Sequence, residues 1–505
     1  MSPSQRLIIC CDGTWNTPDM EDRGVPSPTN VVRLHNSVAA SDGAGVPQKS
    51  HYHPGVGTNA GLVRRVWGGA LGLGLDQNIM SAYRTLCDHY TPGTDIFLFG
   101  FSRGAYTVRS LGGFVGRCGL LDLTGLADRE IWRRIGEAFD QGYRKKRDGW
   151  AAQSGWTFLP LPEGQVVLPI RFIGVWDTVG ALGVPDELAV ANIFDNPRDH
   201  DFHDTDLGKN VRTARHAVAM DERRQSFQPT LWTKFEGRDV KQIWFPGSHA
   251  DVGGGYKETG LSDGPLEWMI QEASAAGLAF DPHFTAQIHP NPSDVQHRSD
   301  QGIFSALPTM PRAVPVVGSP DLHPSVAQRR AAPPITQAPY RPTAPFTPGS
   351  PLTLEIYANQ PWNDTGVYLT AGQPYTFSAE GEWLDAEMRC SPDGPLDRRL
   401  TWGRFFQGVG GLGDRIEPLL KRLTGNENAD FRFSRRHHDW PWFYLVGAIG
   451  NGRVEKEKII PHESFRIGSG PVTYTPLESG YFYAYANDAW GFYGNNRGRV
   501  RLTIT

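Results

Sequence analysis

Three short stretches of this sequence hold residue types that could do chemistry together, and each follows an apolar run. Gly100-Phe101-Ser102-Arg103-Gly104 comes directly after Ile96 to Phe99 and leads into a helix-like stretch, Ala105 to Phe114. A serine on a sharp turn between strand and helix keeps its hydroxyl exposed, and flanking glycines let the two elements approach without Cβ clashes. A serine hydroxyl is a poor nucleophile at neutral pH, so it needs a base to take its proton and an acid to orient that base. Ile170 to Val175 ends in Trp176-Asp177-Thr178-Val179-Gly180, which puts Asp177 where a carboxylate leaving a strand end can enter a site. Ile243-Trp244-Phe245 leads into Pro246 to Gly255, a glycine-dense loop holding His249. Such a loop can aim an imidazole inward.

The chain order Ser102, Asp177, His249 is the order α/β-hydrolases use, and it predicts a serine hydrolase acting on carboxylic esters. The plain alternatives are a turn serine at 102 and a helix N-cap at 177. A second match, Gly260-Leu261-Ser262-Asp263-Gly264, has polar residues before it in place of a strand and reads as a loop. Other histidines compete for the role of base: His51, His53, His89, His200, His203 and His216. The nearest rival, His216, falls in a segment that reads as a helix, Val211 to Glu222, and there reads as a packed or hydrogen-bonded residue. His200 and His203, beside Asp201 and Asp204, have the makings of half a metal site, but their segment is polar and loop-like.

The first apolar run, Leu7 to Cys11, ends in Cys11-Asp12-Gly13-Thr14-Trp15-Asn16, a loop expected beside the serine turn. The Gly13 amide could then supply one half of an oxyanion hole and the Arg103 amide the other. Asp-Gly-Thr after a first strand also resembles the haloacid dehalogenase phosphatases. Cys10 stands where their nucleophilic aspartate belongs, so Asp12 is expected to order the loop instead.

The elements that must carry these residues are legible in outline. Leu7 to Cys11, Ile96 to Gly100, Ile170 to Trp176 and Val240 to Phe245 are continuous apolar runs separated by helix-like patterns, which suits a mostly parallel sheet covered by helices on both faces. Chemistry in such sheets sits at the strands' carboxyl ends. At 505 residues the chain exceeds one ordinary core. From about Leu307 to Pro351 proline recurs every few residues and helical periodicity stops, which marks a boundary. Beyond it, Leu352 to Tyr357, Tyr375 to Ala379, Tyr481 to Tyr485 and Val500 to Ile504 read as strands of an all-β sandwich, with a helix-like insertion at Arg404 to Leu423. The domains expected are therefore 1–345 and 352–505.

Composition excludes some functions. A formal net charge of -4 with scattered Lys and Arg gives no footprint for nucleic acid. Five cysteines without zinc or disulfide spacing read as reduced core residues. No signal peptide and no bilayer-spanning apolar run is expected, so membrane contact would be peripheral. The expected location is the cytoplasm of the producer, with export as an effector.

Leu7 to Asn16, Gly100 to Tyr106, Gly174 to Gly183, Ala214 to Trp232 and Trp244 to Tyr256, with the late His323-Pro324-Ser325-Val326, together resemble the catalytic domain of type VI secretion phospholipase effectors. The resemblance implies a Ser102, Asp177, His249 triad, phospholipase A activity on membrane glycerophospholipids, and secretion-machinery and immunity partners. The tail resembles the calcium-dependent galactose-binding bacterial lectins, on Tyr485-Ala486-Asn487-Asp488-Ala489-Trp490-Gly491-Phe492-Tyr493-Gly494-Asn495-Asn496-Arg497-Gly498 with Gly447 to Gly450 in support. That likeness implies calcium on Asp488, Asn495, Asn496 and the Phe492 carbonyl, and a glycan ligand, although Ser391 and Gly394 stand at the family's sugar-contacting His and Gln. The catalytic step itself needs no cofactor. Two alternatives stand beside this reading: a non-lipid esterase that deacylates a carbohydrate or polymer, and a calcium-dependent glycan-binding protein with an inactive hydrolase domain. Gly68 to Gly74 and Asp186 to His203 are candidate lids.

Overall fold

The computed structural model describes residues 4–13, 16–55, 74–146, 149–180, 206–301, 308–396, 435–455 and 458–505. Most of Gly68 to Gly74, all of Asp186 to His203, and the Arg404 to Leu423 insertion lie outside them. The four apolar runs of the first half are strands: β1 Gln5–Cys11, β3 Thr94–Phe101, β4 Ile170–Trp176 and β6 Asp239–Phe245. Two further strands join them, β2 Gln48–His53 and β5 Val211–Ala219. All six are parallel, in the order β2-β1-β3-β4-β5-β6. Segment 211–222 is thus not the expected helix. Its Ala-rich composition favours a helix in isolation, but between β4 and β6 its backbone finds ladder partners on both sides, and tertiary context overrides propensity.

Helices cover both faces. Leu7, Ile9, Ile96 and Leu98 pack under α2 Gly74–His89 and α3 Arg103–Cys118, while Ile8, Phe97 and Phe99 pack under α1 Asn30–Ser37 and α5 Gly260–Ala275. The start of α5 is the second serine-glycine match, so Ser262 sits buried in a helix and not in the expected loop. The strand order reverses between β1 and β3, and a crevice opens at such a reversal, beyond the strands' carboxyl ends. The Asp12 loop after β1 and Ser102 after β3 flank it.

Close approach at that point depends on glycine. A Cβ on Gly100 would lie 2.4 Å from the Gly104 carbonyl oxygen, and one on Gly104 would lie 2.1 Å from that of Cys11. Backbone cannot yield as a side-chain tip can, so Gly104→Ala should destabilise the fold by about 3 kcal/mol or more, read by urea denaturation.

The C-terminal region is antiparallel. One sheet of four strands runs Asn363–Leu369, Gly480–Ala486, Leu445–Gly450, Glu463–Arg466; a second sheet includes Leu352–Tyr357, Tyr375–Glu380, Trp383–Asp385 and Arg497–Ile504. Phe377, Trp383, Leu445, Phe482 and Leu502 share a core between the two. A separate apolar cluster joins Val218 and Trp244 of the parallel sheet, with Met220 just past the end of β5, to Val446, Ala448, Tyr481 and Tyr483.

Candidate active site

Ser102 occupies the one-residue bend between β3 and α3, with φ +57° and ψ −122°. A side chain rarely adopts that backbone conformation, and its persistence at a strand-to-helix turn is strain that the surrounding fold holds in place. The Ser102 N–H donates to the Trp176 carbonyl at 3.1 Å, tying the bend to the end of β4. The next residue along β4, Asp177, is also left-handed, at φ +39°, and fully buried.

His249 is the first residue of the short helix α4 His249–Gly253, which Ser248 and Asp251 cap reciprocally. This capping box stops the loop at a fixed point and aims the imidazole inward. His249 Nδ1 lies 2.5 Å from Asp177 Oδ2, and its ring packs against Phe101, the neighbour of Ser102, at 4.6 Å between centroids. Burial pulls the His249 pKa below that of an ordinary histidine, against the raising effect of Asp177. The ring is therefore neutral at pH 7 and able to accept a proton. Among the described residues, neither the Ser102 hydroxyl nor His249 Nε2 has a hydrogen-bond partner.

Burial alone would raise the Asp177 carboxyl, but the Arg312 guanidinium and the His249 hydrogen bond hold it well below the usual carboxylate range. Arg312 grips it with two parallel bonds, Nη1 to Oδ1 at 2.6 Å and Nη2 to Oδ2 at 2.9 Å, while the Ala219 N–H donates to Oδ1 at 2.9 Å. Glu222 forms a second buried acidic point beside α4. It accepts from Arg224 Nε and Nη2, both at 2.9 Å, from Ser299 Oγ at 2.7 Å, and from the His249 N–H at 3.3 Å. Burial pushes this carboxyl up, but the bonds and charge of Arg224 outweigh it and hold it down at about 2. A carboxyl depressed in the fold contributes stability above its unfolded pKa and loses it as pH falls toward the folded value. Between about pH 5 and pH 2, Glu222→Gln should therefore lose about 3 kcal/mol less stability than the unaltered chain, measured by denaturation at stepped pH.

The loop after β1 corrects one expectation. Gly13 lies against the serine, since a Cβ there would approach Ser102 Cβ to 3.1 Å, but its N–H donates to Asp12 Oδ1 at 2.7 Å. That amide serves the loop and is not a free oxyanion donor. Asp12 also accepts from Thr29 at 2.6 Å and Tyr52 at 2.8 Å, so it orders the loop, while Arg103 starts α3 with its amide in the first turn.

His216, the rival base, accepts from the Thr178 N–H through Nε2 at 3.0 Å, and burial lowers its pKa to about 3. It is a structural residue of β5. His200 and His203 lie outside the described residues. Sequence reading missed Arg312 and Glu222, although Met310, Arg312 and Val314 alternate as buried positions of an extended segment.

In the C-terminal region, no cluster of three or more His, Cys, Asp or Glu among the described residues is arranged to hold a metal. A cation there would have to draw on amide and backbone oxygens. Asp488 is fully buried and accepts from Asn496 Nδ2 at 2.7 Å and from the Ala489 N–H at 2.6 Å. Burial, with Asp385 nearby, pushes its carboxyl up to about 7. Asn495 Oδ1 and Asn496 Oδ1 are buried without a hydrogen-bond partner. Two orphaned amide oxygens and a buried carboxyl in one short loop suit a hard cation. The Phe492 carbonyl accepts from the Asn495 N–H at 3.1 Å.

Residues 5–272 match the family model described as "T6SS, Phospholipase effector Tle1-like, catalytic domain". An uncharacterized protein of Saccharomyces cerevisiae is 28% identical over 247 residues, which are 46% of this chain and 33% of that protein; the chain thus spans about a third of the length of this relative. Among solved structures, an uncharacterized protein from Pseudomonas aeruginosa is 20% identical with a TM-score of 0.35, over 58% of this chain and 50% of that one. The Tle1 effector bound to the VgrG spike from the Type 6 secretion system is 19% identical with a TM-score of 0.28, over 51% and 52%. The N-terminal domain of EclA, described as a PllA-like lectin, is 15% identical with a TM-score of 0.19, over 30% of this chain and 92% of that one.

Proposed function

We infer that this chain, which belongs to the family of Tle1-like type VI secretion phospholipase effector catalytic domains, is a serine ester hydrolase that cleaves acyl chains from membrane glycerophospholipids. The observation that carries the reading is the buried Asp177–His249 pair, 2.5 Å apart, at the sheet edge where the strained Ser102 turn emerges. In this account Ser102 Oγ attacks the acyl carbonyl and its proton passes to His249 Nε2. Asp177 keeps the proton of the neutral ring on Nδ1 and stabilises the imidazolium that forms. The Arg103 amide, in the first turn of α3 where the helix dipole is positive, steadies the developing oxyanion. His249 returns the proton to the departing lysophospholipid oxygen, and a water activated by the same ring releases the fatty acid.

The test is incubation of the full chain with phosphatidylethanolamine and phosphatidylglycerol vesicles, which should yield fatty acid and lysophospholipid. Turnover confined to short or sugar esters moves the assignment to a non-lipid esterase. No turnover of any ester, with glycan binding retained, favours a binding protein with an inactive hydrolase domain.

Two domains are assigned, 1–345 and 352–505, the second as a calcium-dependent glycan-binding module. Its support is the pair of orphaned oxygens on Asn495 and Asn496 beside Asp488. Asp488, Asn495, Asn496 and the Phe492 carbonyl would hold the ion, which when bound offers coordination to sugar hydroxyls. Calcium at a hundred times its Kd should stabilise the chain by about 2.7 kcal/mol, read as a rise in Tm. Asp488→Asn should abolish that rise. No helix among the described residues is long and apolar enough to cross a membrane. Family membership supports export by type VI machinery and an immunity protein in the producer.

A further inference from the structure

We propose that Arg312 is a positioning residue for hydrolysis at Ser102, and that the C-terminal β region holds it in place; the inference rests on the hydrolase reading above. Arg312 has no exposed side-chain surface. Its two terminal nitrogens reach four acceptors: both oxygens of Asp177, the Ala219 carbonyl at 2.6 Å and the Phe227 carbonyl at 2.5 Å. The two carbonyls belong to different segments and fix the plane of the guanidinium. The fork therefore dictates which way the Asp177 carboxylate faces, and with it the ring of His249.

The segment that carries Arg312 is pinned from the other side. Trp362 Nε1 donates to both the carbonyl and the hydroxyl oxygen of Thr309, each at 3.1 Å, three residues before Arg312. Five residues after it, the Val317 N–H donates to the Tyr481 hydroxyl at 3.0 Å. Between them Val314 is buried with Val446, Ala448, Tyr481 and Tyr483. Trp362 and Tyr481 belong to the β region. The triad carboxylate is thus oriented by a residue whose own backbone is seated on that region.

Without the fork, Asp177 would be a buried carboxylate with only the Ala219 amide and His249 as partners. It could turn away from His249, which slows the reaction without changing how substrate binds. It would also pair more tightly with a protonated ring, so His249 would hold its proton to higher pH. The other charges facing this pair are Glu222 and Arg224 beside His249, with Arg109 beyond the neutral His216. They remain in the variants, so a shift in the profile reports Arg312.

The experiment is the rate at which a fluorophosphonate modifies Ser102 of the full chain, as a function of pH and probe concentration. The chains compared are unaltered, Arg312→Lys, Arg312→Met and Trp362→Phe, with folding checked by circular dichroism. Arg312→Met should lower the maximal rate about 100-fold with little change in the concentration for half-maximal rate, and its acid limb should move to higher pH. Arg312→Lys, which keeps the charge but not the fork, should fall about 10-fold and keep the limb closer to that of the unaltered chain. Trp362→Phe keeps an aromatic ring but loses the indole donor and part of the ring's packing area; it should slow modification several-fold. Folded variants that all react at the unaltered rate with an unmoved limb would overturn the inference and leave the hydrolase reading standing. A loss that only tracks the fraction of folded protein, at every pH, would also overturn it. An unaltered chain that is never modified at Ser102 ends both.

Discussion

Ser102→Ala is expected to lower kcat/KM for vesicle phospholipids by about 10⁴-fold or more while leaving vesicle binding intact. The size follows from the geometry. Only this hydroxyl stands on the turn between β3 and α3, and alanine at φ +57° meets the same backbone strain, so the fold around the missing oxygen should stay as it is. The readout is released fatty acid with the melting temperature measured in parallel. A chain that keeps one-tenth of its activity without the hydroxyl is not using Ser102 as its nucleophile.

Asp177→Asn should cost a similar amount, about 10³ to 10⁴ in kcat, and it should also cost stability. The amide cannot be acceptor to His249 Nδ1 and to both arms of Arg312 at once, so either the ring takes the wrong tautomer or a buried guanidinium loses an oxygen. Leaving Arg312 buried without its counter-charge should remove about 3 to 5 kcal/mol, visible in urea denaturation. Because the two residues act as a unit, the double variant with Ser102→Ala should be no less active than Ser102→Ala alone. Additive losses would mean that Asp177 contributes by a route independent of the serine.

Much of the catalytic half was legible because its strands are buried on both faces, and continuous apolar runs such as Ile170 to Val175 announce that environment. Two strands escaped for opposite reasons. Gln48–His53 is an edge strand with a polar sequence, so no apolar run marks it. Val211–Ala219 is central and buried, but small residues and Arg215 and His216 fill it, which reads as helix until its neighbours are known. The contact between Asp177 and His249 was within reach of the sequence because each residue follows a strand end, a position the sequence marks, as does Ser102. Arg312 was not, because its partner lies 135 residues away and its proline-rich surroundings look like a linker. The alternation of Met310, Arg312 and Val314 was the available signal, a period of two in an extended segment. The fate of the Gly13 amide was equally hidden, since whether an N–H faces a crevice or its neighbour's carboxylate depends on one backbone rotation.

The central claim is that the Ser102 hydroxyl is activated for attack by His249. The most direct measurement is treatment of the full chain with a fluorophosphonate, then digestion and mass-spectrometric mapping of the adduct. The account predicts one modified residue, Ser102, and no modification in His249→Ala. An adduct on a different serine, or none on a folded and hydrolytically active chain, would contradict it.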